Sequence, residues 1–332
     1  MNLLSLFARK RNGPITRQQI ILSYAADWLV TIALAAIFFS LDKVPGFKRD
    51  FSVTDLSIRH PFAVHERVPN WALVLIAFVA PLILNWVVNL LSIRSKWDAH
   101  ISALGLILSL AITGVIVQFT KITVGRPRPD LLSRCNIPEG TVDPPYGLTT
   151  WEICNQPDES VLKDGFRSFP SGHAGFSFAG LGFMAFYLAG KVHLFDNRGH
   201  APKAWLSLAP LAGAALVAIS RTMDYRHHWQ DVLVGGALGL FVSYFAYRQY
   251  YPPLTSRRSH VPYTPRDKDA ARAGPILPTT REEDEATSVR YTDVHAESDS
   301  TDGGEELREV HSQRKDESRR GSNIAVPLND TQ

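Results

Sequence analysis

Long apolar runs separated by polar loops dominate the first 250 residues. Six can be read, at about 20–41, 71–91, 101–120, 172–189, 204–219 and 232–247. A helix needs about 20 apolar residues to cross the hydrocarbon core, with a range of about 17–25. Backbone groups in lipid must be satisfied within the segment, so each run is predicted to be helical. The first three have the length. The last three are short unless their polar ends are included, and their glycine and alanine content suits close packing of helices in a bilayer. A soluble all-α protein with six buried helices is the alternative, and six such runs in so short a stretch weigh against it. The predicted fold class is therefore all-α, a six-transmembrane-helix bundle.

The pattern changes at Tyr251. From there to Gln332 the chain carries 12 Lys/Arg and 16 Asp/Glu, with Pro, Ser and Thr between scattered single apolar residues. Such a segment cannot bury enough apolar area to offset its ordering entropy, and it is predicted to be disordered. The chain thus divides into an N-terminal segment (1–19), a bundle (20–250, with a polar loop at 121–171) and an acidic tail (251–332). Within the tail, Arg319-Arg320-Gly321-Ser322 is a weak match to a site for a basic-directed kinase, and a plain solvated tail is the simpler reading. The net charge of +3 is too small to argue for a nucleic-acid partner.

An even number of spans puts both termini on one side, and the side richer in Lys and Arg should be cytosolic. Arg9, Lys10, Arg11 and Arg17 precede the first span, Arg94 and Lys96 fill the second loop, and Lys191, Arg198 and Lys203 the fourth. Arg248, Arg257 and Arg258 follow the last span. The termini are accordingly expected in the cytosol, although the first opposite loop also holds Lys43, Lys48, Arg49, Arg59 and Arg67. The apolar run 1–7 precedes its basic cluster, the reverse of a cleavable secretory signal. Asp27 is the one charge well inside a run; an intramembrane acid is a functional candidate, but no partner for it can be read from the sequence and it is left out of the site.

Polar clusters sit at three span boundaries. They are Lys121 to Pro129, with Arg126 and Arg128; Phe169-Pro170-Ser171-Gly172-His173; and Ser220-Arg221 to Asp231, with His227 and His228. Counting spans places all three on the rim opposite the termini. Arg and Lys give charge-assisted hydrogen bonds to phosphate oxygens, Arg in two-pronged fashion. Ser171 and Gly172 put backbone N–H groups at a helix start, which favours an anion. Histidine can serve as nucleophile or acid near neutral pH. Asp231, four residues after His227, shares its face on a helix and can fix the imidazole tautomer. Phosphoryl transfer needs positioning and charge stabilisation above all, and this set supplies both. Each cluster alone has a plainer reading: headgroup anchors, a helix cap at His173, or a dipole-stabilising acid at Asp231.

Together the clusters read Lys-x6-Arg-Pro, Pro-Ser-Gly-His and Ser-Arg-x5-His-x3-Asp, which resembles the three-part signature of the type-2 phosphatidic acid phosphatases, or lipid phosphate phosphatases. With its long acidic tail and cysteine-bearing loop, the chain is most similar to the fungal diacylglycerol pyrophosphate phosphatases. The resemblance implies that His227 attacks phosphorus to form a phosphohistidine, that Asp231 orients it, and that His173 protonates the leaving oxygen. It implies that Lys121, Arg128 and Arg221 hold the phosphate with Ser171 and Gly172, and that neither magnesium nor another cofactor takes part. The expected substrates are phosphatidate, lysophosphatidate and diacylglycerol pyrophosphate. Dolichyl or sphingoid-base phosphates, and a non-enzymatic lipid-binding role, are the alternatives. Arg126 belongs to a second Arg-Pro pair and could add to the phosphate site.

The two cysteines, Cys135 and Cys154, lie in one polar loop. Their spacing is not that of a metal site. They can form a disulfide if the loop faces an oxidising compartment, or stay as two thiols. Vacuolar, endoplasmic-reticulum and Golgi membranes are all compatible with the chain. Its oligomeric state is not legible.

Overall fold

The structure is a computed structural model that describes residues 24–196 and 199–264. The readings placed on the N-terminal segment, on most of the tail and on Arg198 lie outside the described residues. Six long helices form the bundle: α1 (Ala25–Lys43), α2 (Asn70–Leu91), α3 (Lys96–Val124), α6 (Gly172–Lys191), α7 (Ala201–Met223) and α8 (Trp229–Tyr250). Two short helices, α4 (Leu131–Cys135) and α5 (Glu159–Gly165), belong to the loop between α3 and α6. Five of the long helices are long and apolar enough to cross a membrane among the described residues. The sixth, α6, is diluted by glycine and polar at both ends. It packs against α2, α3, α7 and α8 and so faces protein rather than lipid. The last three spans reach 20, 23 and 22 residues, because each helix continues into the polar positions that the hydropathy reading left outside.

Small residues bring the central helices into close contact. Gly235 and Gly239 lie four apart on α8. A Cβ on Gly239 would stand 2.2 Å from the Gly175 carbonyl oxygen, and one on Gly235 would stand 2.4 Å from that of Ser171. This small-x3-small crossing pins the N-terminal end of α6 to that of α8. A second close approach starts from Pro81 in α2. Its ring displaces the carbonyl four residues back, and the helix passes through a π turn at Leu75–Val79. The Ala77 carbonyl oxygen then lies where a Cβ on Gly180 would be 1.7 Å away.

α1 packs chiefly on α3. Asp27, for which the sequence offered no partner, accepts a hydrogen bond from the Tyr250 hydroxyl at 3.2 Å and so serves the α1–α8 contact. At the same rim a buried network closes the bundle. Asp98 accepts from Lys191 Nζ at 2.8 Å and from the hydroxyls of Tyr187 at 2.6 Å and Tyr251 at 3.0 Å. Removing one partner of a buried ion pair costs about 3–5 kcal/mol. Asp98→Ala should therefore lose most of its thermal stability in detergent, whereas an exposed substitution such as Lys96→Ala should not.

The opposite rim is covered by a polar cap built from residues 44–69 and 125–170. Phe51, Ile58, Leu131, Leu162 and Phe166 form its apolar kernel. Cys135 and Cys154, whose pairing the sequence left open, are joined by a disulfide that ties α4 to the rest of the loop. Gly125 ends α3 in the left-handed region at φ +57. The segment after α1 docks there, with Phe47 N–H on the Ile122 carbonyl at 2.8 Å and Arg49 N–H on that of Gly125 at 3.1 Å.

Candidate active site

Lys121 lies in the last turn of α3, His173 in the first turn of α6, Arg221 in the last turn of α7, and His227 just before α8. All four helix ends meet beneath the cap. With Arg128 from the cap and Gly172 from α6, these residues line one cavity of about 810 Å³. Its other wall is apolar, with Phe38 and Phe39 from α1, Leu73 and Phe78 from α2, and Phe176 from α6. The cavity is therefore cationic at one end and oily at the other.

His227 is almost fully buried, at 3% exposure. Its Nδ1 lies 2.6 Å from the Ser168 carbonyl oxygen. A carbonyl only accepts, so Nδ1 carries the proton, and in the neutral ring Nε2 keeps its lone pair. Burial, then the charges of Arg128 and Lys121, hold the imidazole well below its usual range of protonation. A neutral ring with an unprotonated Nε2 is a nucleophile.

Asp231 does not hold that ring directly. Its nearest carboxylate oxygen is 3.9 Å from His227 Nδ1, beyond hydrogen-bond range. One oxygen accepts instead from the Ser168 hydroxyl at 2.5 Å and from the His228 backbone N–H at 3.0 Å. The other accepts from Arg126 at 2.6 Å. The carboxylate thus fixes Ser168, and the Ser168 carbonyl fixes His227. The expected orienting role of Asp231 thus runs through Ser168 and not through direct contact: the carboxylate is turned back onto the start of its own helix, in a capping box with His228. Arg126 is corrected, since it is committed to Asp231 and does not line the cavity. Ser171 is also set back. It caps α6, its hydroxyl accepting from the Ala174 N–H at 3.4 Å, and the adjacent Gly172 lines the cavity in its place.

The cationic groups are held by acids that the sequence did not single out. Arg128 is bound at Nη2 by the Asp164 carboxylate at 2.6 Å and at Nε by the Asp164 carbonyl at 2.8 Å. Arg221 donates to Glu66 at 2.7 Å and to Asp224 at 3.2 Å. Arg226, next to His227 in the chain, reaches Glu66 at 3.1 Å and Asp164 at 3.6 Å. The Lys121 ammonium has no ion-pair or hydrogen-bond partner within range among the described residues. His173 Nε2 lies 3.0 Å from the Val68 carbonyl and 3.9 Å from Glu66. Arg226 could have been flagged by its place in the third cluster. Glu66 sits in a loop and Asp164 in the short helix α5, where nothing in the local pattern marks them.

Comparison with known proteins decides the family. Residues 102–253 match the family described as the PAP2 superfamily. The chain is 41% identical over 248 residues to a protein of Schizosaccharomyces pombe named probable diacylglycerol pyrophosphate phosphatase 1, covering 74% of this chain and 87% of the relative. The chain belongs to the PAP2 superfamily. Two further PAP2 relatives are lipid phosphate phosphatase 2 of Arabidopsis thaliana, 43% identical over 68% of this chain and 77% of the relative, and diacylglycerol pyrophosphate phosphatase 1 of Saccharomyces cerevisiae, 39% identical over 63% and 73%. No solved structure matches. The chain is thus a multi-pass membrane phosphatase of the PAP2 type. The PAP2 match takes in all three polar clusters but begins after α1, Glu66 and α2, so part of the oily wall and Glu66 lie outside it.

Proposed function

We propose that this protein hydrolyses phosphatidate, lysophosphatidate and diacylglycerol pyrophosphate through a phosphohistidine on His227, without magnesium. The carrying observation is the single cavity that joins a cationic, two-histidine end to an apolar wall on α1 and α2. A headgroup phosphate fits the first end and acyl chains fit the second. α1 packs chiefly on α3, and a lateral entrance for lipid beside α2 is part of this proposal.

Lys121, Arg128 and Arg221 hold the phosphate oxygens, with the N–H groups at the start of α6 beside them. Nε2 of His227 attacks phosphorus as the bond to the lipid oxygen breaks. Before substrate binds, burial and then the charges of Arg221 and Lys121 hold the pKa of His173 down to about 3; it takes up a proton from solvent when the bound phosphate dianion offsets those cations, and gives that proton to the leaving oxygen. In the second half, water attacks the phosphohistidine and returns a proton to His173, and orthophosphate leaves as His227 regains its lone pair. The positive charge that balances the phosphoryl group comes from guanidinium and ammonium groups, so phosphate release should persist in excess chelator.

This chemistry is assigned to the bundle, residues 20–250. The Cys135–Cys154 disulfide, at the same rim as the cavity, supports a lumenal or extracellular site with cytosolic termini. Purified protein in mixed micelles with chelator should release phosphate from phosphatidate and from its pyrophosphate analogue. A preference for dolichyl or sphingoid-base phosphates would redirect the substrate assignment. No release from any lipid would sink it.

A further inference from the structure

The cavity holds a second group of cations between the phosphate cage and the oily wall. Asp42, near the end of α1, lies on the cavity four residues after Phe38. Its carboxylate accepts from Arg167 at 3.0 Å and from Gln118 at 2.6 Å. Its carbonyl accepts from Lys163 Nζ at 2.7 Å. Gln118 precedes Lys121 by three residues on α3 and shares its face. The group therefore abuts the cage on one side, through Lys121, and the aromatic wall on the other, through α1. Lys163 and Arg167 bring two positive charges against the one carboxylate of Asp42, and Lys163 meets no carboxylate of its own among the described residues. Arg167 is 7% exposed, and its buried Nε has no hydrogen-bond partner. A cation left with unused donors beside an anion cage has capacity for a further anion.

We infer that Lys163 and Arg167 form a subsite for the second phosphate of a lipid diphosphate. When the terminal phosphoryl group sits on His227, the inner phosphate lies one bridging oxygen nearer the acyl chains. Lys163 and Arg167 line the same cavity as Lys121 and His227. The subsite adds binding for diphosphates that a monophosphate cannot use, and so sets preference between them. Hydrolysis of the terminal bond then leaves a monophosphate lipid that has lost one of its two holds. This rests on the lipid phosphatase reading above and specifies its substrate choice.

The test compares kcat/KM for diacylglycerol pyrophosphate and phosphatidate in identical mixed micelles, using the full chain and its Lys163→Gln and Arg167→Gln variants. Each variant should lower the diphosphate-to-monophosphate ratio by roughly tenfold, the scale of one charge-assisted hydrogen bond. Lys163 is partly exposed, so its variant carries the test if Arg167→Gln fails to fold. If the two residues only brace α1 against the cap, both substrates will suffer equally. An unchanged ratio in Lys163→Gln therefore overturns the subsite while leaving the lipid phosphatase reading intact. Failure of the unaltered protein on both lipids overturns the two together.

Discussion

Replacing His227 with Asn should lower phosphate release by about 10⁴-fold or more, with the protein still folded. The ring is buried in the cavity wall, and the hydrogen bond from Nδ1 to Ser168 leaves its other nitrogen with a free lone pair. No neighbour can substitute for it: His228 is turned to Asp231, and His173 is held at Val68. Phosphate release from phosphatidate, with circular dichroism as the folding control, checks the expectation. A second readout follows from the depressed protonation of the buried ring. Between the folded value and the unfolded value of about 6.5, the unfolded chain binds the extra proton. Stability contributed by burying the neutral ring is therefore complete above pH 6.5 and declines as pH falls below it. The thermal midpoint of the unaltered protein should drop more steeply on acidification through this window than that of His227→Asn. Activity retained in the variant would remove His227 from the reaction.

Asp231→Ala should be the next most damaging change, in two separable ways. It strands Arg126 and the Ser168 hydroxyl, which should cost about 2–3 kcal/mol, less than for a fully enclosed pair because the Arg126 side chain is 27% exposed. It also frees Ser168, whose carbonyl holds the nucleophile, and kcat should fall about 10²-fold or more, the penalty for slight misplacement of a reacting group. Ser168→Ala tests the relay, because it breaks the link from Asp231 while leaving Arg126 paired. It should lower kcat with little change in KM and a smaller loss of stability. A direct contact between Asp231 and His227 would predict no effect of Ser168→Ala on kcat.

The helices and the convergence of three clusters were legible because both follow from periodic or fixed spacings. Lys121, His173 and Arg221 sit at helix ends, so counting spans was enough to gather them. What was missed lies where spacing carries no information. Glu66 and Asp164 reach Arg221 and Arg128 across the cap from 155 and 36 positions away. The route by which Asp231 acts was not legible, because its separation from His227 suits a shared helical face, yet His227 precedes α8 and the helix begins at Trp229. The first-turn carboxylate then satisfies the His228 backbone N–H before it can reach the ring. Arg126 and Arg128 could not be told apart by an Arg-Pro pattern that both satisfy. The length of α6 was underestimated because a helix shielded by four others does not need a lipid-like composition.

The glycine crossing of α6 and α8 also divides the protein mechanically. His173 and His227 stand at the two helix starts that this crossing joins, with backbone contact too close to slide. α1, by contrast, leans mainly on a single neighbour and lines the approach for acyl chains. A thicker or thinner bilayer tilts or shifts the most loosely held helices first. Reconstitution into lipids of graded chain length should therefore alter KM while kcat stays nearly constant, so that the host membrane tunes how readily substrate arrives and not how fast it is cleaved.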